Sequence, residues 1–445
     1  MKKIGYILFA AMGLASCSND EIFEATANVA EESTQEVDFS RRSYSEALQI
    51  AQNSIAMIQD SAAVTRGEEV GRTLNLESGV KTYCQKTTRA NGASANDTLI
   101  YVFNFNDNKG FAVVSANRAT EGLLAVVENG SYDPNSKWGD SFAEELLENA
   151  NEYVANTKLE DGATTESGIV TRAKGDVTRK VSGSYVEEKT EIHKVTPRIR
   201  IEWAQKGTTA RYCNNELAGS GPVAVVQVMA HYKYPYQFLA SYADNSQRDI
   251  SWNSIITNYN NSNKMLNKYF KNFSMLVREI GHRAGAQYKT GITITDISKL
   301  KDCMSSFNYK VSSVYSYNPK GGALSMAEKL NGSNTVIMQG TSVSGKTHTF
   351  IIDGCNYYRR RELYEVPNVT TYVISDRQVE LNYINWGEGG MYNGYYNSSL
   401  LYPVTYADKD PNVCTGDEDN EYSGYFEGSN GAAFNSNMKY FTVRR

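Results

Sequence analysis

The sequence predicts an α+β protein in two unequal parts. Three observations carry that reading. An amphipathic helical pattern followed by three strand-like runs occupies residues 43–127, and a helix apolar on nearly every side begins at Pro222. Strand-like runs then begin near residues 335, 347 and 381.

The first seventeen residues come before that pattern. Lys2 and Lys3 precede an apolar run from Ile4 to Leu14, and small residues lead to Cys17. This is the layout of a secretory signal, too short to span a bilayer. Leu14-Ala15-Ser16-Cys17 resembles a bacterial lipobox, which implies cleavage before Cys17 and a lipid on that cysteine. An ordinary signal peptide with an incidental cysteine is the alternative. Residues 18–40, polar to about Glu36, read as a tether and resemble the export tags of Bacteroides-type surface lipoproteins. The implied placement is an exported lipoprotein of the outer membrane, facing the periplasm or the outside.

Residues 41–158 form the first folded part. Ser43 and Glu46 make a Ser-x-x-Glu capping box, and Ala47, Leu48, Ala51, Ile55 and Ile58 come after it at helical spacing to about Asp60. Leu99 to Phe105 and Phe111 to Ser115, joined through Asn106 to Gly110, make a hairpin. Leu123 to Val127 is a third strand, and a helical pattern spans Phe142 to Val154. This unit reads as separate from the C-terminal part of the chain. Residues 159–188 lack apolar periodicity and read as a linker. Arg172, Lys174, Arg179 and Lys180 make it a candidate nick site, beside the simpler reading of exposed basic residues.

Composition excludes several functions. A net charge of −5 without a basic stripe argues against nucleic acid, and no Gly-rich phosphate loop is present. Beyond Cys17, the five cysteines Cys84, Cys213, Cys303, Cys355 and Cys414 are odd in number and scattered, which suggests neither a zinc site nor a disulfide framework. The 31 tyrosines against 8 prolines suit a strand-rich extracytoplasmic protein.

Residues 189–445 hold the informative motifs. They are Trp203-Ala-Gln205, Ser220-Gly221-Pro222 opening the apolar helix, Thr347-His348-Thr-Phe-Ile-Ile-Asp-Gly354, and Asn385-Trp386-Gly-Glu388-Gly-Gly390. With Ser220 or Gly221 as cap and Pro222 in the first turn, the helix start is well specified. In order and spacing these motifs resemble the streptopain (peptidase C10) family of papain-like cysteine peptidases, as does Ser251-Trp252-Asn253-Ser254-Ile255 between them. The N-terminal unit, with Gly110-Phe111-Ala-Val-Val-Ser115, resembles the family's propeptide, which is also the fold of its dedicated Spi-type inhibitors. The implied architecture is a central helix packed on a twisted antiparallel sheet or barrel, preceded by a small α+β prodomain. No cofactor is implied.

A papain-like site needs a thiolate at a helix N-terminus and a histidine to hold and return its proton. The resemblance places His348 on the catalytic histidine, Asn385 on the asparagine that orients its ring, Trp386 on the shielding aromatic and Gln205 on the oxyanion-hole glutamine. The nucleophile position falls on Pro222. Proline lacks both a thiol and the backbone N–H that serves such enzymes as second oxyanion donor. Thr347 and Glu388 also replace a Gly and a Trp of the family pattern. Among other candidates, Cys213 and Cys355 read as packing residues, Ser220 as a cap, and His231 as structural; His193 and His282 carry no signal.

These residues leave three readings open. The first is an inactive peptidase homologue binding a peptide or protein ligand. The second is an active cysteine-type endopeptidase with an unorthodox nucleophile. The third makes the N-terminal unit an inhibitor of a related streptopain-like peptidase. A surface antigen on a retired fold is the bland alternative.

Overall fold

The computed structural model describes residues 35–38, 41–66, 81–84, 98–132, 146–147, 150, 153–154, 157, 178–181, 184–214, 216–259, 268–317, 326–341, 346–366, 370–401 and 438–445. The N-terminal part contributes β1 (Gln35–Asp38), α1 (Tyr44–Arg66), β2 (Lys81–Cys84), β3 (Thr98–Asn104), β4 (Phe111–Ser115) and β5 (Leu123–Val127). Then come β6 (Thr178–Val181), β7 (Ser184–Val195), α2 (Ser220–Tyr232), β8 (Gln237–Leu239), β9 (Gln247–Asp249), α3 (Trp252–Asn258) and α4 (Lys268–Arg283). After β10 (Gln287–Lys289), β11 (Ile292–Ile294) and α5 (Ile297–Ser306), the chain runs through β12 (Lys310–Val311), β13 (Tyr315–Ser316) and α6 (Met326–Lys329). It ends with β14 (Thr335–Thr341), β15 (Thr347–Val366), β16 (Thr370–Asn385), β17 (Gly394–Asn397) and β18 (Lys439–Arg444). The fold is α+β.

Helix α1 begins at the capping box: Ser43 N–H donates to Glu46 Oε2 at 2.7 Å, and Glu46 N–H to Ser43 Oγ at 3.4 Å. Its apolar stripe of Ala47, Ile50, Ala51 and Ile58 is buried together with Tyr101, Phe103, Ala112 and Val114. The helix runs beyond the expected Asp60. Strands β3 and β4 pair antiparallel as the hairpin expected, and β5 pairs with β4. Of the expected helix at 142–154, the described residues Leu146, Leu147, Ala150 and Val154 are helical and buried.

Among the described residues, twelve strands form one antiparallel sheet, ordered β12-β18-β14-β15-β16-β17-β5-β4-β3-β2, with β13 also on β18 and β7 on β15. The expectation of a separate N-terminal unit is therefore corrected: β5 pairs with β17 across Gly394↔Val127, Tyr395↔Val126 and Tyr396↔Ala125. Gly394 makes the approach possible, because a Cβ there would lie 2.3 Å from Val126 O. Helix α2 packs with α4 and α5 on the C-terminal part of the sheet, and Ile337, Ile351 and Phe441 join its core.

The expected linker is corrected too. Residues 184–188 belong to β7, which pairs with β15 from Ser184↔Glu365 to Val195↔Cys355, and Thr178–Val181 pairs with Gln35–Asp38 of the expected tether. The absence of apolar periodicity misled because the inward groups at the start of β7 are Tyr185 and Glu187, packed against charge. Arg172 and Lys174 lie outside the described residues, as do the signal segment and Cys17.

That charge is a cluster built on Glu362 of β15. Arg42 grips it with two bonds of 2.8 Å, both side chains fully buried. Arg118 Nη1 reaches the same carboxylate at 3.0 Å, as does Arg360 Nη1. Arg118 also binds Glu46 at 2.6 Å, and Arg360 binds Glu187 at 2.5 Å. Three guanidinium groups thus meet three carboxylates, with Tyr185 OH donating to Glu362 at 3.1 Å. Burial opposes ionisation of Glu362, but Arg360 and Arg42 outweigh it and hold its carboxyl well below the usual range. Glu187 is lowered in the same balance by Arg360 and Lys189.

A depressed folded-state pKa stabilises above the unfolded value and is lost as pH falls through the folded one. Urea unfolding is expected to show stability falling from about pH 4.3 downward. Glu362→Gln, which leaves buried guanidinium groups without their counter-charge, is expected to cost about 3–5 kcal/mol at neutral pH and to flatten that acid slope.

Candidate active site

Helix α2 is capped by Gly219, with φ at +89°, where a Cβ would meet Thr293 at 2.8 Å. Its first helical bond is Val223 N–H to Gly219 O at 3.2 Å. Ser220, Gly221 and Pro222 fill the first turn, whose N–H groups have no partner within a helix. Proline fits there because its missing donor costs the helix nothing. Every residue from Ser220 to Ala230 is buried. The expected cap at Ser220 or Gly221 is corrected: Ser220 Oγ instead accepts from Thr349 N–H at 3.0 Å, tying the helix start to the residue after His348.

His348 lies near the start of β15, 6% exposed, with Nε2 at 2.9 Å from Trp386 O. A carbonyl only accepts, so Nε2 carries the proton in this bond. The Trp386 ring is fully buried, 6.0 Å from the histidine ring and 4.9 Å from Phe350, and its Nε1–H donates to Tyr392 O. Asn385, at the end of β16, makes no bond to His348. Its Nδ2 donates to Ile201 O at 2.9 Å, while its Oδ1 accepts from Gly387 N–H at 3.1 Å and Gln227 Nε2 at 3.4 Å. Here the asparagine organises the loop, and the Trp386 carbonyl positions the ring.

Gln205 is half-buried in the segment just before α2, where its carbonyl accepts from Ala218 N–H at 2.8 Å. The same segment reaches the glycine loop through Gly389 N–H to Trp203 O at 3.3 Å. A Cβ on Gly387, whose φ is +71°, would meet Val223 Cγ1 at 3.1 Å, beside Pro222 in the chain. The Gln205 segment, the α2 start, the His348 strand and the Asn385-Trp386 loop therefore converge. Gln227 was missed in the sequence. Fully buried on α2, it accepts from Trp203 N–H at 2.9 Å and donates to Asn385. A single glutamine in an otherwise apolar helical run was the available signal, because a buried amide needs partners.

A cavity of about 530 Å³ adjoins the helix start, lined among others by Thr295, Asp296, Lys299, Gln339, Thr347 and Lys439. Gln339 Nε2 donates to Thr295 O at 2.9 Å and Thr349 Oγ1 at 2.8 Å, and the Thr341 and Thr347 hydroxyls meet at 3.1 Å. Thr295 closes on Gly221, where a Cβ would come within 2.1 Å of its hydroxyl.

Cys213, Cys303 and Cys355 are buried free thiols. Burial pushes all three thiol pKa values up, that of Cys303 to about 12, the reverse of what an activated thiolate needs.

Residues 201–396 match the family model described as the Peptidase C10 family. These residues are thus similar to the Peptidase C10 family. Residues 30–154 match the Spi protease inhibitor model, so the C10-like region comes after an inhibitor-like stretch. Streptopain of Streptococcus pyogenes is 23% identical over 380 residues, covering 79% of this chain and 84% of the relative. Streptopain of serotype M1 matches equally. Among solved structures, a fragment of Prevotella intermedia prointerpain A has a TM-score of 0.46 and 17% identity, covering 82% of this chain and 98% of that one. Active wild-type interpain A has a TM-score of 0.37 and 16% identity, covering 57% and 95%.

Ser220→Ala is expected to lower stability by about 1–3 kcal/mol in urea melts, because Thr349 N–H loses its buried acceptor. Labelling by a serine-directed phosphonate is expected to stay at background in both proteins; Ser220-dependent labelling of the wild type would make Ser220 a nucleophile.

Proposed function

We propose that this C10-like protein has lost peptidase catalysis and uses the cleft around His348, Gln205 and Trp386 to bind a peptide or protein. Pro222 in the first turn of α2 is the observation that carries the reading. It occupies the position that the motif order assigns to the nucleophile, and it offers neither a thiol nor a backbone N–H. Loss of a nucleophile in comparable sites costs about 10⁶ in rate, and loss of one oxyanion donor alone about 10²–10³. Among the described residues, the three buried thiols with raised pKa values offer no substitute.

What remains suits binding. The buried bonds of Asn385, Gln227 and Trp386 hold the cleft wall without needing a reaction, and the adjoining cavity offers hydroxyl, amide and ammonium groups to a polar chain. In the same reading the protein is exported and anchored in the outer membrane by a lipid on Cys17. Cys17→Ala is then expected to abolish palmitate incorporation and move the protein out of the membrane fraction; unchanged labelling would remove the anchor from the proposal.

The deciding experiment compares wild type with Pro222→Cys, scored by labelling with a thiol-directed epoxide and by cleavage of unfolded casein. Wild type is expected to be silent in both, and the single substitution to gain labelling at residue 222. Labelling or cleavage by wild type would overturn the loss of catalysis and identify the residue responsible.

A further inference from the structure

We infer that the N-terminal unit is a permanent occupant of the C-terminal domain's surface rather than a removable segment: a chain cut between residues 159 and 177 stays one non-covalent molecule. This goes beyond the proposed function and does not depend on what the cleft binds.

Three independent contacts carry it. The first is the seam between β5 and β17, extended by Glu128 N–H to Asn393 O at 2.8 Å and by Asn129 Nδ2 to Gly390 O at 3.3 Å. These bonds reach the loop after Trp386. Separation would uncover two strand edges at once.

The second is the shared apolar core. Phe111, Val113, Leu124 and Val127 of the N-terminal unit are buried in one cluster with Phe350 and Trp386, the residues that back His348. On the other face, Ala47, Ile50 and Phe103 share a cluster with Tyr358, Leu381 and Tyr383. Neither part buries these faces alone, so separation returns both to water.

The third is the charge cluster. Arg42, Glu46 and Arg118 come from the N-terminal unit, Arg360 and Glu362 from β15, and Tyr185 and Glu187 from β7. Pulling the unit away strands buried charges on both sides. A second polar tie joins Tyr383 OH to Glu128 Oε2 at 2.9 Å, with Arg200 3.9 Å from the same carboxylate. Because β7 is itself zipped along β15, a cut before residue 178 leaves the new chain end pinned beside the cluster. The surface of the N-terminal unit that meets the C10-like region is thereby occupied in cis and closed to a partner peptidase.

The test inserts a site-specific protease sequence between Glu160 and Asp161 of the full chain, cuts it completely, and tracks both pieces by size exclusion in neutral buffer at physiological salt. Both fragments are expected to elute together at the volume of the uncut protein, and to part only in urea near the unfolding midpoint. Elution of the N-terminal fragment by itself in native buffer would overturn the inference, whatever becomes of the other fragment. In the cut protein, Tyr383→Phe and Glu362→Gln are expected to lower the urea concentration at which the pieces part, the second more than the first. If Glu362→Gln fails to fold, Tyr383→Phe alone decides: parting at the wild-type urea concentration would remove the polar ties from the explanation.

Discussion

The carboxylate of Glu362 is the point on which the rest of the molecule turns. Three guanidinium groups converge on it, those of Arg42 and Arg118 from distant stretches of chain, and none of its charge is exposed. A single buried carboxylate so surrounded is tolerable only when every partner is present, because each charge compensates the desolvation of the others. The cluster therefore works as a specificity device: the start of α1, the loop after β4, strand β7 and the long β15–β16 hairpin have one mutual arrangement that satisfies it. The extended hairpin, far longer than a strand of ordinary length, carries Glu362 out to where the N-terminal elements wait.

The site is stiff for a related reason. Its polar side chains bond the scaffold more than one another: Gln227 holds Trp203 and Asn385, Asn385 holds Gly387 and Ile201, and Ser220 holds Thr349. Such a network keeps the helix start, the histidine strand and the glycine loop in register whether or not a reaction occurs. This explains how a proline can stand at the start of α2 without disturbing the rest. The first turn of a helix has N–H groups to spare, so a proline there leaves the fold intact.

Much of this was legible in the chain. The capping box at Ser43 and Glu46, the β3–β4 hairpin and the apolar α2 were readable because each obeys a local period or cap. The ordered motifs around Gln205, Pro222, His348 and Asn385 singled out residues that the fold does bring to one region. The illegible parts were non-local. The start of β7 looked like a linker because Tyr185 and Glu187 face charge, and its partners lie more than a hundred residues away. The α2 cap was misjudged because Ser220 has a better donor in Thr349, from another element, than any within its own turn. The Asn385 to His348 pairing implied by family resemblance gave way to the Trp386 carbonyl, a backbone group that no side-chain motif advertises.

The β5–β17 seam also sets an order of assembly. Strand β5 is complete at Val127, but its partner edge at Gly394 arrives about 270 residues later. Until then the N-terminal meander presents an unpaired apolar edge of the kind that recruits other chains. Pairings of such long sequence separation are slow to form, because the closing loop must be ordered before any bond rewards it. The joining of β17 to β5 is thus a late event that buries both edges in a single step, and until it happens the half-built chain is at its most vulnerable to association with its own copies.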